Sequence, residues 1–468
     1  MKARFITLLT LLCIGRALGA SAQASDPQES RMGAELRLEE QDLAKDCDSF
    51  KTIVSCATDL ATEHPFHVSM GSIAPQNGLG AGPAMVTHFT PQNWRITWSG
   101  DGVYAPGGAW RAGTYLTMYR TKIAPPQLAQ PGARVQPIRI TETAVYDIYA
   151  QTMSLPTINF YGVGADTSVA NKTAYRMSET LVGGSASIPL GAAANTLRLN
   201  VLLEANGRMF NIRDAAMSDG PSISTRFDEA TAPGLVTQPS FTQFGEGVRM
   251  HPLLFGDRLQ LGYTLQYEQF VSTQSSSSFE RWSVDLAHQI QLYHTGGGPV
   301  VRDERNTPDD CSSSPSEPAC PSVTRDRWGS INIRALVSKS IVGSGATVPF
   351  YLQHTLGGSD IDGARALASY DDYRFRGPHL MLFQESLEHS IWGPLGASLL
   401  FEQGKVMSQD AKLSVGGLRQ SVGVGATLRA GGFPAVTASW YTGGPEGNHF
   451  IFTLDTSLLG GGSRPSLQ

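Results

Sequence analysis

The chain has 468 residues, with 36 Lys+Arg against 41 Asp+Glu for a net charge of -5, 41% hydrophobic and only 16% charged residues, and 50 glycines. Neither this charge nor any basic cluster would neutralise a phosphate backbone, which excludes nucleic-acid binding. Beyond the N-terminus no stretch approaches the roughly 18 to 20 consecutive apolar residues that a membrane-spanning helix needs, which excludes a helical membrane protein.

Lys2 and Arg4, the apolar run Phe5 to Gly15 and the small-residue stretch Ala20-Ser-Ala-Gln-Ala24 have the layout of a cleavable secretory signal over residues 1–24. Leu12 is too bulky for a lipidation site before Cys13, so this cysteine belongs to the discarded segment. Residues 25–65 are charged and lack strand alternation, and Glu35 to Lys45 and Ser49 to Leu60 could each form a short helix. They read as a short helical or irregular segment, periplasmic or plug-like. The remaining cysteines form two local pairs, Cys47 with Cys56 and Cys311 with Cys320. In an oxidising compartment this spacing suggests two disulfide-closed loops. Either pair could instead bind metal, but each lacks a second nearby pair of Cys or His ligands. No metal or cofactor is expected.

From about Gly78 the sequence becomes a series of segments near ten residues long that alternate apolar with polar, the mark of a transmembrane barrel strand. In Leu259-Gln-Leu-Gly-Tyr-Thr-Leu-Gln-Tyr267, Leu259, Leu261, Tyr263, Leu265 and Tyr267 share one face, and Gln260, Thr264 and Gln266 the other. About sixteen strands are predicted, near 77–90, 92–104, 108–122, 138–151, 173–189, 195–210, 239–251, 257–270, 279–293, 327–341, 346–355, 378–391, 395–406, 419–431, 433–443 and 447–459. A soluble sandwich alternates too, but its strands run about five or six residues. Trp94, Trp98, Tyr115, Tyr119 and Phe450 stand where aromatic girdles belong. The many Gln, Asn, Thr and Glu on the second face would each cost a few kcal/mol to leave unpaired in a dry core. The predicted fold is therefore an all-β, antiparallel transmembrane barrel over residues 66–460, followed by a polar tail, 461–468. With this count the long segments 152–172 and 211–238 fall at the end that should carry short turns, which indicates a miscounted strand in the first half. Arg302 to Arg325, around Cys311 and Cys320, reads as an outer loop.

Leu356-Gly-Gly-Ser-Asp360, Tyr373-Arg-Phe-Arg-Gly377, Glu388 and Phe401-Glu-Gln-Gly-Lys-Val406 together resemble the BamA/TamA family of outer-membrane barrels (bacterial surface antigen type). Phe160-Tyr-Gly-Val-Gly164 with Asp166, Ser168 and Tyr175 is similar to a further stretch of these barrels, and Gly423 to Arg429 with Gly447, Phe450 and Phe452 to their final strands. The resemblance implies that a loop introduced by Gly357, Gly358 and Asp360 folds back into the lumen before the last five strands. It implies a latch in which a loop arginine holds a carboxylate on the wall, for which the bidentate guanidinium is suited. Arg365 stands nearest the family's arginine, although Arg365-Ala366-Leu367 replaces the usual Arg-Gly-aromatic tip. Glu402 is the matching acid, and Arg374 is the rival to Arg365.

By the same resemblance the chain would insert, translocate or export protein or lipid at the outer membrane of a Gram-negative-type bacterium, with an opening between first and last strands. Its partners would be outer-membrane lipid and lipopolysaccharide, unfolded outer-membrane proteins or a separate periplasmic protein. Residues 25–65 are too short for the periplasmic domains usual in that family, so a barrel without them is expected. The alternative is a passive pore or surface-anchoring barrel. No catalysis is expected: there is no Gly-x-Ser-x-Gly and no His-Glu-x-x-His, and His64 and His67 flank Pro65-Phe66 in what reads as a turn.

Overall fold

The computed structural model describes residues 66–91, 93–120, 143–190, 197–215, 220–255, 258–295, 327–361, 363–392, 395–430, 433–444 and 446–454. All lie in the second of two compact units, Ala61–Gln468. The signal segment 1–24, the N-terminal segment, the tail 461–468, Cys47, Cys56, Cys311 and Cys320 lie outside the described residues.

The strands are β1 (Phe66–Ser72), β2 (Leu79–Phe89), β3 (Trp94–Tyr104), β4 (Trp110–Arg120), β5 (Val145–Phe160), β6 (Thr173–Pro189), β7 (Leu199–Asp214), β8 (Phe241–Met250), β9 (Leu253–Leu254), β10 (Leu259–Ser272), β11 (Phe279–Thr295), β12 (Arg327–Val342), β13 (His354–Leu356), β14 (Phe375–Gly377), β15 (His379–Trp392), β16 (Leu395–Met407), β17 (Arg419–Ala430), β18 (Phe433–Gly444) and β19 (Gly447–Leu454). Seventeen of them form one sheet, and β13 and β14 form a separate two-stranded ribbon. Within the sheet each strand runs antiparallel to its neighbour in the chain, as where Leu265 of β10 faces both Val284 and Val248. The two-residue β9 continues the line of β8 along β10, Leu254 opposite Leu259. The sheet is thus a meander of sixteen strand positions. It curls into a barrel, since Arg419 of β17 reaches the Ala165 carbonyl, beyond β5, at 3.1 Å. Among the described residues no register joins β1 to β19.

The period-two pattern decides which side chains face out. On β10, Leu265 and Val271 are exposed while Glu268 and Phe270 are buried. The same alternation leaves Leu203, Phe244, Leu286, Ile333, Leu387, Leu399, Val424, Trp440 and Phe452 on the outer surface from β7 to β19. So extensive an apolar exterior is unsuited to water and suits a lipid-facing wall. Three glycines make slots for tyrosine rings: a Cβ on Gly423 would lie 2.5 Å from the ring of Tyr441 opposite it, on Gly329 2.3 Å from Tyr293, and on Gly113 2.2 Å from the Tyr115 hydroxyl.

The interior has two zones, one dry and one polar. At one end Met153, Leu155, Phe160, Tyr175, Phe210, Phe241, Phe270 and Phe279 of the wall pack with Phe350, Tyr351, Leu352 and Tyr373 into a dry core, joined by Ile223 and Ala232 of the β7–β8 connection. Phe350 lies 5.1 Å from both Phe160 and Tyr175, ring centre to ring centre. Toward the other end the inward residues are polar. Tyr149 donates to Asn206 (2.8 Å) and Gln243 to Glu268 (2.7 Å), and Arg208 pairs with Glu179 at 3.4 Å, both buried.

One of the sixteen predicted strands is corrected and one strand that was not predicted is added, so the count stands. Segment 346–355 is no wall strand: it turns inside as a 3-10 turn, Phe350–Leu352, followed by β13. Its consecutive Phe350, Tyr351 and Leu352 are all buried, where a wall strand would expose alternate residues. In its place β1 adds a seven-residue strand with Phe66, Val68 and Met70 exposed, too short to stand out in the sequence. With β1 present, connections 161–172 and 215–240 fall at the end that carries 343–378, the dry end. Residues 302–325, read as an outer loop, lie outside the described residues.

Phe350→Ala is expected to weaken the barrel by about 3 to 5 kcal/mol, since it removes a ring at the centre of the dry core. On a semi-native gel the compact band should convert to the unfolded one at lower temperature than for the parent, whereas Phe452→Ala, on the outer face, should shift it less.

Candidate functional site

Residues 343–378, between β12 and β15, fold back against the inside of the wall. The entry of this segment depends on glycine. Gly357 has φ 106° and Gly358 φ 61°, both in the region that side chains disfavour. A Cβ would also lie 2.5 Å from that of Arg374 at the first and 2.2 Å from Asp372 Oδ1 at the second. Asp360 closes the following turn, its Oδ1 accepting from the Ala364 N–H at 2.8 Å and its own N–H donating to the Ala364 carbonyl at 2.9 Å. That turn brings Arg365 back opposite Ser359, and Ala366 exchanges hydrogen bonds with Gly357 and Gly358.

Glu402 of β16 does receive the segment. Its carboxylate accepts from the Ala368 N–H at 2.8 Å and from Gln384 Nε2 at 2.9 Å. The same Gln384 amide donates to the Arg365 carbonyl at 2.8 Å, and its oxygen accepts from Arg334 at 3.3 Å. Arg334 in turn holds Asp285, the closer contact 2.8 Å. Arg365 and Glu402 are thus brought to one place with Gln384 as the relay. Among the described residues no ion pair joins Arg365 to Glu402. Gln384 carried no sequence signal, because one glutamine on a lumen-facing strand looks like any other.

Arg374 is engaged elsewhere. Its Nε donates to Glu446, in the β18–β19 turn. Its other nitrogens donate to Thr167 Oγ1 at 2.7 Å and the Thr167 carbonyl at 2.6 Å, and the guanidinium lies over Tyr161 and Phe375. Arg376 is buried in the dry core, donating to the Phe350 carbonyl at 2.8 Å and the Tyr175 hydroxyl at 3.2 Å, with the rings of Phe160, Tyr175 and Phe350 around it. The stretch Phe160 to Ser168 is the surface on which this segment docks: Gly164 N–H donates to the Arg376 carbonyl at 2.7 Å and the Tyr161 hydroxyl to Asp371 at 2.9 Å. Asp166 pairs with Arg419 at 3.3 Å. Glu388 lies farther along β15, opposite Ser330 and Ser398.

Burial sets the charge states of the segment. It raises the carboxyl of Asp372 against the opposing hydrogen bond from the Ser359 N–H (2.9 Å). It holds His354 well below the ordinary imidazole value, helped by Arg281 and His379, so its ring bonds Ser338 (2.8 Å) in the neutral form. Burial and then the charge of Asp371 push the Tyr161 hydroxyl up. Beside the segment lies a cavity of about 400 Å³ bordered by Arg249, Glu268, Arg281, His354 and Arg365, next to one of about 620 Å³ bordered by Arg249, Glu268, Tyr115, Asp147, Tyr149 and Glu204. Among the described residues no group of three or more His, Cys, Asp and Glu is arranged to hold a metal ion.

No family model and no curated protein matches the sequence. Solved structures of similar shape include CdiB from Acinetobacter baumannii (9% identity, TM-score 0.44, covering 84% of this chain and 57% of that one). BamA from Haemophilus ducreyi lacking POTRA domains 1-3 is similar at 9% identity and TM-score 0.47, with 83% and 69% covered. CdiB from Escherichia coli is similar at 12% identity and TM-score 0.45, with 84% and 62% covered.

Asp372→Asn keeps the acceptor for Ser359 and removes the buried charge. The parent carboxyl is raised in the fold, so its share of stability is present below the ordinary carboxyl range and lost as pH rises through the raised value. The variant is expected to resist urea better than the parent at pH 7 and to match it near pH 3. Unfolding midpoints at the two pH values check this.

Proposed function

We propose that this chain is an outer-membrane barrel of BamA/TamA type that moves protein or lipid at the outer membrane by opening, and that it rests closed. The observation that carries the reading is the inner segment 343–378, bound along its length to the inside of the wall through Glu402, Gln384, Thr167 and Tyr175. A standing pore has no use for a dry core across one end, and here Phe350, Tyr351 and Tyr373 help to build one. The apolar exterior supports a place in a bilayer, among outer-membrane lipid and lipopolysaccharide. Unfolded outer-membrane protein or a separate periplasmic protein would be its partner.

The mechanism is conformational rather than catalytic. A ligand or load shifts such a barrel only as far as it favours the open state over the closed. The Glu402 clamp sets that balance, because its loss leaves the Ala368 N–H and the Gln384 amide short of an acceptor inside the wall.

Planar-bilayer recording tests this. The parent barrel is expected to stay closed with rare openings, and Glu402→Ala to raise the open fraction on the order of tenfold. A steady conductance, equal in the two proteins, would contradict the reading and favour a passive pore.

A further inference from the structure

The buried Arg374–Glu446 pair joins the inner segment to the last hairpin, between which no strand register runs among the described residues. Glu446 sits in the turn between the last two strands, and its carboxylate accepts from Arg374 Nε and, at 3.4 Å, from the Asp371 N–H. The two side chains are 5% and 7% exposed, so the pair is shielded from salt and water. The remaining nitrogens of Arg374 are spent on Thr167, in the β5–β6 connection far along the sheet. One guanidinium therefore ties the last hairpin and the β5–β6 connection to the inner segment at once. β19 itself has a register only with β18 among the described residues. The register of β18 with β17 stops at Val422 opposite Thr442, short of the turn. The turn rests on the segment instead: a Cβ on Gly444 would lie 3.0 Å from the ring of Tyr370.

We propose that Glu446 is the pin that holds the β18–β19 hairpin to the inner segment, so that the last hairpin leaves the wall only when the Arg374 contact breaks. The proposal rests on the reading of a wall that opens and adds what regulates it. Glu402 holds the tip of the segment to β16, whereas Glu446 holds the wall's final hairpin to the segment. The two acids therefore govern different movements. Displacing the segment at its docking surface on Thr167 would free the hairpin, and pulling the hairpin would free Arg374.

Hydrogen exchange read by mass spectrometry on the full chain in detergent tests the pin without any cargo. Glu446→Gln is expected to speed exchange in residues 369–374 and 447–454 by about tenfold, with the β7–β8 connection at 223–235 unchanged. Unchanged exchange at 447–454 would overturn the proposal, and so would a uniform rise over the whole barrel. If Glu446→Gln does not yield a folded barrel, Thr167→Val removes one of the Arg374 contacts and leaves the ion pair in place. A smaller rise in the same two segments would support the pin, and no change in either would refute it. Because this readout needs no transport, a pin that holds in a protein without export would leave the proposal standing and remove the export reading.

Discussion

A guanidinium enclosed by protein must have its donors met, because an uncompensated buried charge costs several kcal/mol. Arg376 meets this requirement at its two terminal nitrogens with the Phe350 carbonyl and the Tyr175 hydroxyl, its Nε left to the surrounding aromatic faces, and Arg374 with Glu446 and Thr167. Tyr175 comes from β6, Thr167 from the β5–β6 connection and Glu446 from the last hairpin, so these contacts form only when the segment lies inside a curled sheet. The positive-φ glycines at 357 and 358, the docking stretch 160–168 and the dry core all follow from that requirement.

The same arrangement divides the barrel. Where the inner segment and the β7–β8 connection pack against the wall, the interior is as dry as a soluble core. Where they do not reach, the wall keeps Asp147, Glu204, Arg249 and Glu268 around open cavities. Glu402 and Gln384 stand at the join, with the segment's tip on one side and the Arg334–Asp285 pair on the other. A dry end above a polar chamber fits the proposed wall that opens better than it fits steady diffusion.

Much of this could be read from residues alone, for reasons of scale. Period-two alternation over ten or more residues, as along Leu259 to Tyr267, repeats enough to declare a lipid-facing wall. Leu356-Gly-Gly-Ser-Asp360 implied the inward loop through its family resemblance, and the structure shows both glycines at positive φ. β1 escaped because its alternation from Phe66 to Met70 is only five residues long, and Phe66 and His67 read as a turn. Segment 346–355 misled because an apolar run looks the same whether it joins a wall or a core. The partners of the arginines were the least legible. Glu402 was reachable through its motif, but Gln384 and Glu446 act through distance in space and stand in stretches with no pattern of their own. Arg365 and Glu402 were placed together by resemblance, yet the contact runs through an amide that no motif includes.

The central claim is that the segment lies sealed within the folded wall, and the reactivity of a thiol at Ser369 tests it most directly. Ser369 is fully buried, its N–H donating to Ser421 of β17 at 3.0 Å. In a Ser369→Cys variant, site-resolved maleimide labelling of the folded barrel should run about a hundredfold slower than at Val236→Cys, an exposed loop position. Labelling at both sites at the same rate would mean that the segment is not held inside, and the account would fail.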